Sequence, residues 1–163
     1  MKKLFSFLLA AAMVLVVSVP AFAQEIPSSR TSQPLKSTVV VENLGNGITV
    51  ETKTTLWNTS ATAALASSSR SASRTKTYKA NGSTVATVTL KATFGYNGSS
   101  AWVSSKRASH STVSGWSYGS QSLSSSGGTA NLSAVLTQKL GIIPIGTIDV
   151  GISLTCSPSG QIS

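Results

Sequence analysis

The chain is poor in the residues that carry most protein chemistry. It holds one cysteine, one histidine and four acids (Glu25, Glu42, Glu51 and Asp149) in 163 residues. A zinc or other transition-metal site needs several His, Cys or carboxylate ligands at one point, and these are too few to cluster. A single cysteine, Cys156, excludes an internal disulfide. A Ser-His-Asp relay would have to join His110 to Asp149, and among 31 serines such a match comes by chance. His110 is expected in a solvated loop. Paired-carboxylate glycoside hydrolysis has only Glu42 and Glu51, which straddle one hairpin and are expected to serve surface solubility. No glycine-rich phosphate loop leads into a helix. No catalytic residue, no metal site and no cofactor is expected, and the chain reads as a non-enzyme.

Aromatic residues are also scarce. There are three tryptophans, three tyrosines and four phenylalanines, and Phe5, Phe7 and Phe22 fall in the first 23 residues. An outer-membrane barrel needs aromatic girdles and eight or more strands of about ten residues, so the barrel is set aside. Long apolar runs are limited to one, Leu4 to Val19, preceded by Lys2 and Lys3 and followed by Pro20 and Ala21-Phe22-Ala23. That is the pattern of a cleaved signal peptide. Its 16 residues fall short of the roughly 20 needed to span a bilayer. No cysteine follows the cleavage site to take a lipid. The expected mature protein is Gln24 to Ser163, secreted or extracellular, with at most a loose association with the cell envelope. About 140 residues make one domain able to bury some two-thirds of its unfolded surface.

What the chain does have is serine, threonine and positive charge. It contains 31 serines and 19 threonines. Removing Lys2 and Lys3 from 13 basic residues leaves 11 against four acids, a mature charge of +7. A sparse charge of one sign favours anionic partners. Val, Ile and Leu recur among the hydroxyl residues with period two, the mark of half-buried strands with threonine on the wet face. Residues 83 to 105 read STVATVTLKATFGYNGSSAWVSS. There Ala86, Val88, Leu90, Ala92, Phe94 and Tyr96 form one face while threonines and Lys91 form the other.

Turn residues divide the rest. Residues 24 to 37, with Pro27 and Pro34, read as an extended leader before a single domain over 38 to 163. Residues 38 to 44 (TVVVENL) and the alternation of Ile48, Val50 and Leu56 flank Gly45-Asn46-Gly47 as a hairpin. Residues 58 to 69 fit either a loop or a short helical turn. Two Asn-Gly pairs, Asn81-Gly82 and Asn97-Gly98, supply the positive φ values of type I′ turns. They join residues 70 to 80, 83 to 96 and 99 to 109 in a meander. One short strand is expected within 110 to 126. Another follows Gly127-Gly128, with Leu132, Ala134, Leu136 and Leu140 on one face, and a last runs from 147 to 156. Cys156 falls in phase with Ile148, Val150, Ile152 and Leu154, so burial as a small apolar group is expected. The fold class is all-β: an antiparallel β-sandwich of seven or eight strands, immunoglobulin-like in size.

The segments TFGYNGSSA (93 to 101) and ISLTCSPSGQIS (152 to 163) resemble a group of small secreted β-rich proteins of Clostridia-like Gram-positive bacteria. The resemblance spans about half of the mature chain. It implies a fold and a compartment, and no catalytic residue, because the group has no assigned activity. The group carries a further cysteine where this chain has Val103. If that cysteine bridges to the terminal one, Cys156 here keeps only a packing role.

Two-residue turns at both Asn-Gly pairs set a register. Lys76 then faces Thr87, Arg74 faces Thr89 and Ala72 faces Lys91, while Trp102 faces Thr93, Ser104 faces Lys91 and Lys106 faces Thr89. In that register Arg74, Lys76, Lys91, Lys106 and Trp102 share one hydroxylated outer face, which Arg70 extends. Cations there can meet carboxylates or phosphates, and an indole can stack a sugar or a base. A bulge at either turn would slip the register by one. The expected partner is an anionic wall polymer or glycan, with no nucleic acid and no cofactor. Action on membranes and assembly through strand edges are the alternatives. Membrane contact and oligomeric state are left open.

Overall fold

The computed structural model describes residues 34–58 and 68–163. The expected signal peptide, the leader up to residue 33 and most of the ambiguous stretch 58 to 69 lie outside them. Eight strands follow one another: β1 (Pro34–Gly45), β2 (Ile48–Asn58), β3 (Ser68–Ala80), β4 (Ser83–Tyr96), β5 (Ala101–Thr112), β6 (Trp116–Ser126), β7 (Thr129–Leu140) and β8 (Ile143–Thr155). Every pairing is antiparallel between sequence neighbours, giving a five-stranded sheet β1-β2-β3-β4-β5 and a three-stranded sheet β6-β7-β8. This is the expected all-β sandwich. The strands run longer than expected. Residues 34 to 37 of the supposed leader belong to β1, β5 runs on to Thr112, and β6 takes eleven residues of the Ser-rich stretch.

Alternation builds the core. Ala86, Val88, Leu90, Ala92 and Phe94 on β4 turn inward and are buried, as are Leu132, Ala134 and Leu136 on β7 and Val150, Ile152 and Leu154 on β8. Each large side chain so buried stabilises the fold by roughly 1.5–3 kcal/mol. β4 is paired on both sides, although β3 is the middle strand. Cys156 is buried and unpaired, and burial raises its thiol pKa against the opposing pull of Arg70. Leu140 departs from its expected face. A register shift between Gln138 and Lys139 leaves it exposed at the β7–β8 turn.

The sheets are unequal, and the smaller one covers only part of the larger. β8 packs over β3 and β4, and β7 over β4 and β5. Among the described residues the inner face of β1 stays uncovered, with all twelve of its residues exposed, while β2 turns Val50 into the core and packs Leu56 against it. The chain after β8 folds back: Thr155 and Ser163 exchange backbone hydrogen bonds of 2.9 Å each way.

Candidate functional site

The turns decide which side chains share a face. At Asn46-Gly47 and Asn81-Gly82 both residues have positive φ, so the two-residue turns form. The third differs. Gly98 is left-handed but Asn97 is not, and Asn97 Oδ1 accepts hydrogen bonds from the backbone N–H groups of Ser99 (3.1 Å) and Ser100 (2.8 Å). The connection is therefore a four-residue loop, Asn97 to Ser100. It moves Ala101 opposite Tyr96, Trp102 opposite Gly95 and Val103 opposite Phe94.

Two bulges then correct the expected register. Val85, buried beside buried Ala86, is an extra residue in β4, so Lys76 lies opposite Val88, Arg74 opposite Leu90 and Ala72 opposite Ala92. Ser104 is an extra residue in β5, so Lys106 lies opposite Ala92 and Arg107 opposite Lys91. Because side chains alternate, each one-residue slip exchanges the faces beyond it. The six candidate residues consequently do not share one outer face. Lys91 and Trp102 point outward. Arg70, Arg74, Lys76 and Lys106 fall on inward-facing positions.

Three of those inward cations tie the molecule together. Arg74 donates from Nε to Thr54 Oγ1 (2.9 Å) and from Nη1 to the Ser153 carbonyl (2.6 Å), joining β2 and β3 to the edge of β8. Burial lowers its pKa from the usual guanidinium value. Lys106 donates to Ser125 Oγ (2.9 Å), joining β5 to β6. Arg70 lies 5.9 Å from the centroid of the Tyr96 ring and donates to the Gly160 carbonyl. The Tyr96 ring lies against Gly160, where a Cβ would strike it, so this trio holds the C-terminal tail. Lys76 lines a cleft of about 380 Å³ between the inner face of β1–β3 and β8.

The outer face of the five-stranded sheet gathers a different set. Lys91 lies 5.0 Å from the Trp57 ring centroid, and its direct cross-strand neighbours are buried Ser73 on β3 and exposed Arg107 on β5. Lys53 lies on the same face, in the row of Thr75, Thr89 and Ser109. Hydroxyl pairs floor the surface: Ser71 with Thr93 and Thr75 with Thr89, each at 2.9 Å. Trp102, 38% exposed, lies flat on β4 because Gly95 has no side chain, and a Cβ there would land on the indole. A depression of about 320 Å³ is lined by Ser71, Lys91, Thr93, Ser105, Lys106 and Arg107. Among the described residues the outer-face acid is Glu51, and it is engaged by Lys79 at 3.2 Å. Trp57, Arg107 and Lys53 were missed by the sequence reading. The signal for Arg107 was the doubled Ser104-Ser105 between Val103 and Lys106, which hides a bulge.

The remaining candidates stay apart. Glu42 and Glu51 occupy opposite faces of the β1–β2 hairpin, because Glu51 pairs with Val41 and Glu42 with Val50. His110 is not in a loop: it belongs to β5, pairs with Val88 and stacks on Tyr118 with ring centroids 3.9 Å apart. Among the described residues, no three His, Cys, Asp or Glu side chains gather where they could hold a metal ion. No family model, curated protein or solved structure matches the chain.

Proposed function

We propose that the protein is an exported, non-enzymatic binding module that holds an anionic polymer of the cell envelope or extracellular matrix on the outer face of its five-stranded sheet. The observation that carries this reading is the Lys91–Arg107 pair. The two cations stand on adjacent strands, with the Lys91 ammonium over the Trp57 ring and no carboxylate against either, among the described residues. A carboxylate or phosphate of a bound chain would meet two uncompensated cations, and Arg107 can grip it in a bidentate fashion. Trp57 and Trp102 offer flat apolar surface for sugar rings, and the serine and threonine floor offers hydroxyl donors. Binding of this kind weakens steeply with salt. Retention on insoluble, acid-rich wall polysaccharide should therefore fall across a salt series, and a neutral glucan should retain little at any salt. Equal retention on both polymers would remove the anionic part of this reading.

A second reading, action on membranes, draws on a separate feature. The β7–β8 turn exposes Leu140 (70%), Ile142 (93%) and Ile143 (62%) beside Lys139. Dye-loaded vesicles decide between the two: release of dye at micromolar protein favours the membrane, and intact vesicles favour the polymer.

A further inference from the structure

β1 is a free edge with little to protect it. Among the described residues it pairs only with β2, and its Val39, Val40 and Val41 are 54%, 64% and 67% exposed. Unpaired edges are normally blunted by proline, bulges, charge or a covering element. In β1 the proline, Pro34, stands at the first residue, and the irregularities fall at Leu35 and Leu44. The stretch from Lys36 to Asn43 between them is regular and can accept a partner strand. The two charges on this stretch are Lys36 and Glu42. Both project from the inner face, together with Thr38 and Val40, while Ser37, Val39, Val41 and Asn43 project from the outer face.

We propose that β1 pairs antiparallel with β1 of a second copy, about a two-fold axis through Val39. In that register Val39 meets its own symmetry mate, Thr38 meets Val40, Ser37 meets Val41 and Lys36 meets Glu42. The two-fold makes every unlike contact occur twice, so the dimer carries two Lys36–Glu42 pairs. Centring on Val40 instead puts Lys36 against Leu44 and Thr38 against Glu42, which leaves all four charges without opposite partners. Charge complementarity therefore selects both the occupant and the register. A C2 interface of this kind closes on itself and uses up the exposed edge. Paired residues in antiparallel strands share a face, so two five-stranded sheets become one continuous ten-stranded sheet with both outer faces on the same side. A long polymer would then meet two copies of the Lys91–Arg107 surface at once. The pairing itself does not depend on the polymer reading.

Sedimentation of the wild-type protein at increasing concentration should show a monomer–dimer equilibrium with no larger species. Lys36→Glu or Glu42→Lys sets like charges opposite each other twice and should weaken the dimer about tenfold or more. The double variant Lys36→Glu/Glu42→Lys swaps the partners and should recover wild-type dimerisation. Val39→Cys places two thiols at the directly opposed position, where Cβ atoms lie about 4.5–5.5 Å apart and close to disulfide reach. It should cross-link rapidly on mild oxidation, while Val41→Cys, opposite Ser37, should cross-link slowly. Cys156 is buried, so the wild type gives the baseline. Circular dichroism on each variant confirms the fold, and the two cysteine variants leave the charges untouched. A wild type that stays monomeric at hundreds of micromolar overturns the proposal. So does growth past the dimer, which would mean that β1 meets a different edge. A charge swap that fails to restore pairing, or faster cross-linking of the Val41→Cys variant than of the Val39→Cys variant, overturns the register.

Discussion

At the scale of single residues, burial separates side chains that sit next to each other in sequence. Leu90 and Phe94 are fully buried, while Thr89 and Thr93 bond across the outer face to Thr75 and Ser71. Leu90→Ala or Phe94→Ala should cost about 2–5 kcal/mol in urea unfolding. Thr89→Ala should cost about 1 kcal/mol or less, since one net hydrogen bond is at stake. Equal costs on the two faces would contradict the inward–outward assignment. Tyr78 gives a pH signature. Burial first, and Glu42 second, push its hydroxyl up to about 12. An unfolded tyrosine ionises near 10, so between pH 10 and 12 the unfolded chain sheds a proton that the folded chain keeps. The contribution of Tyr78 is fully present below pH 10 and is lost as pH rises through that window. Tyr78→Phe should flatten the alkaline fall in stability relative to wild type, and an unchanged slope would argue that Tyr78 is not held this way. Cys156 should react slowly with thiol reagents in the folded protein and fully in denaturant.

At the scale of elements, the strands themselves could be read from period two and from turn chemistry. Asn46-Gly47 and Asn81-Gly82 adopt the left-handed pairs that their residue types favour. The same dipeptide at Asn97-Gly98 does not, because Asn97 spends its side-chain oxygen on Ser99 and Ser100 and opens a longer loop. The bulges at Val85 and Ser104 carry no signature as plain as a glycine pair, and each turns every later side chain over. Lys91 and Trp102 were legible as outer-face residues. The pairing of Lys91 with Arg107 was not, since it depends on an extra residue thirteen positions away in sequence from Lys91. Gly95→Ala should displace the Trp102 indole and change its fluorescence while the fold persists, because the clash is with one ring on the surface. Arg70→Ala should release the C-terminal tail, seen as faster hydrogen exchange at Ser157 and Ser163, whose amides bond to Gln161 and Thr155 carbonyls. Unchanged exchange would mean that the backbone bonds hold the tail alone.

At the scale of the whole molecule, the two faces of the large sheet carry positive charge for different ends. Inward cations bridge the sheets or secure the tail, and their partners are neutral oxygens of Thr54, Ser153, Ser125 and Gly160. The outward cations Lys53, Lys91 and Arg107 face solvent beside two tryptophans. The most direct test compares the faces in one experiment. Lys91→Glu/Arg107→Glu on the outer face and Lys76→Glu in the inner cleft are each checked for folding, then titrated on acid-rich wall polysaccharide at low salt beside the wild type. The outer-face double variant should lose retention by at least tenfold while Lys76→Glu stays close to wild type after correction for one change of charge sign. Loss of retention through Lys76→Glu with the outer-face variant still bound would overturn the assignment of binding to the outer face.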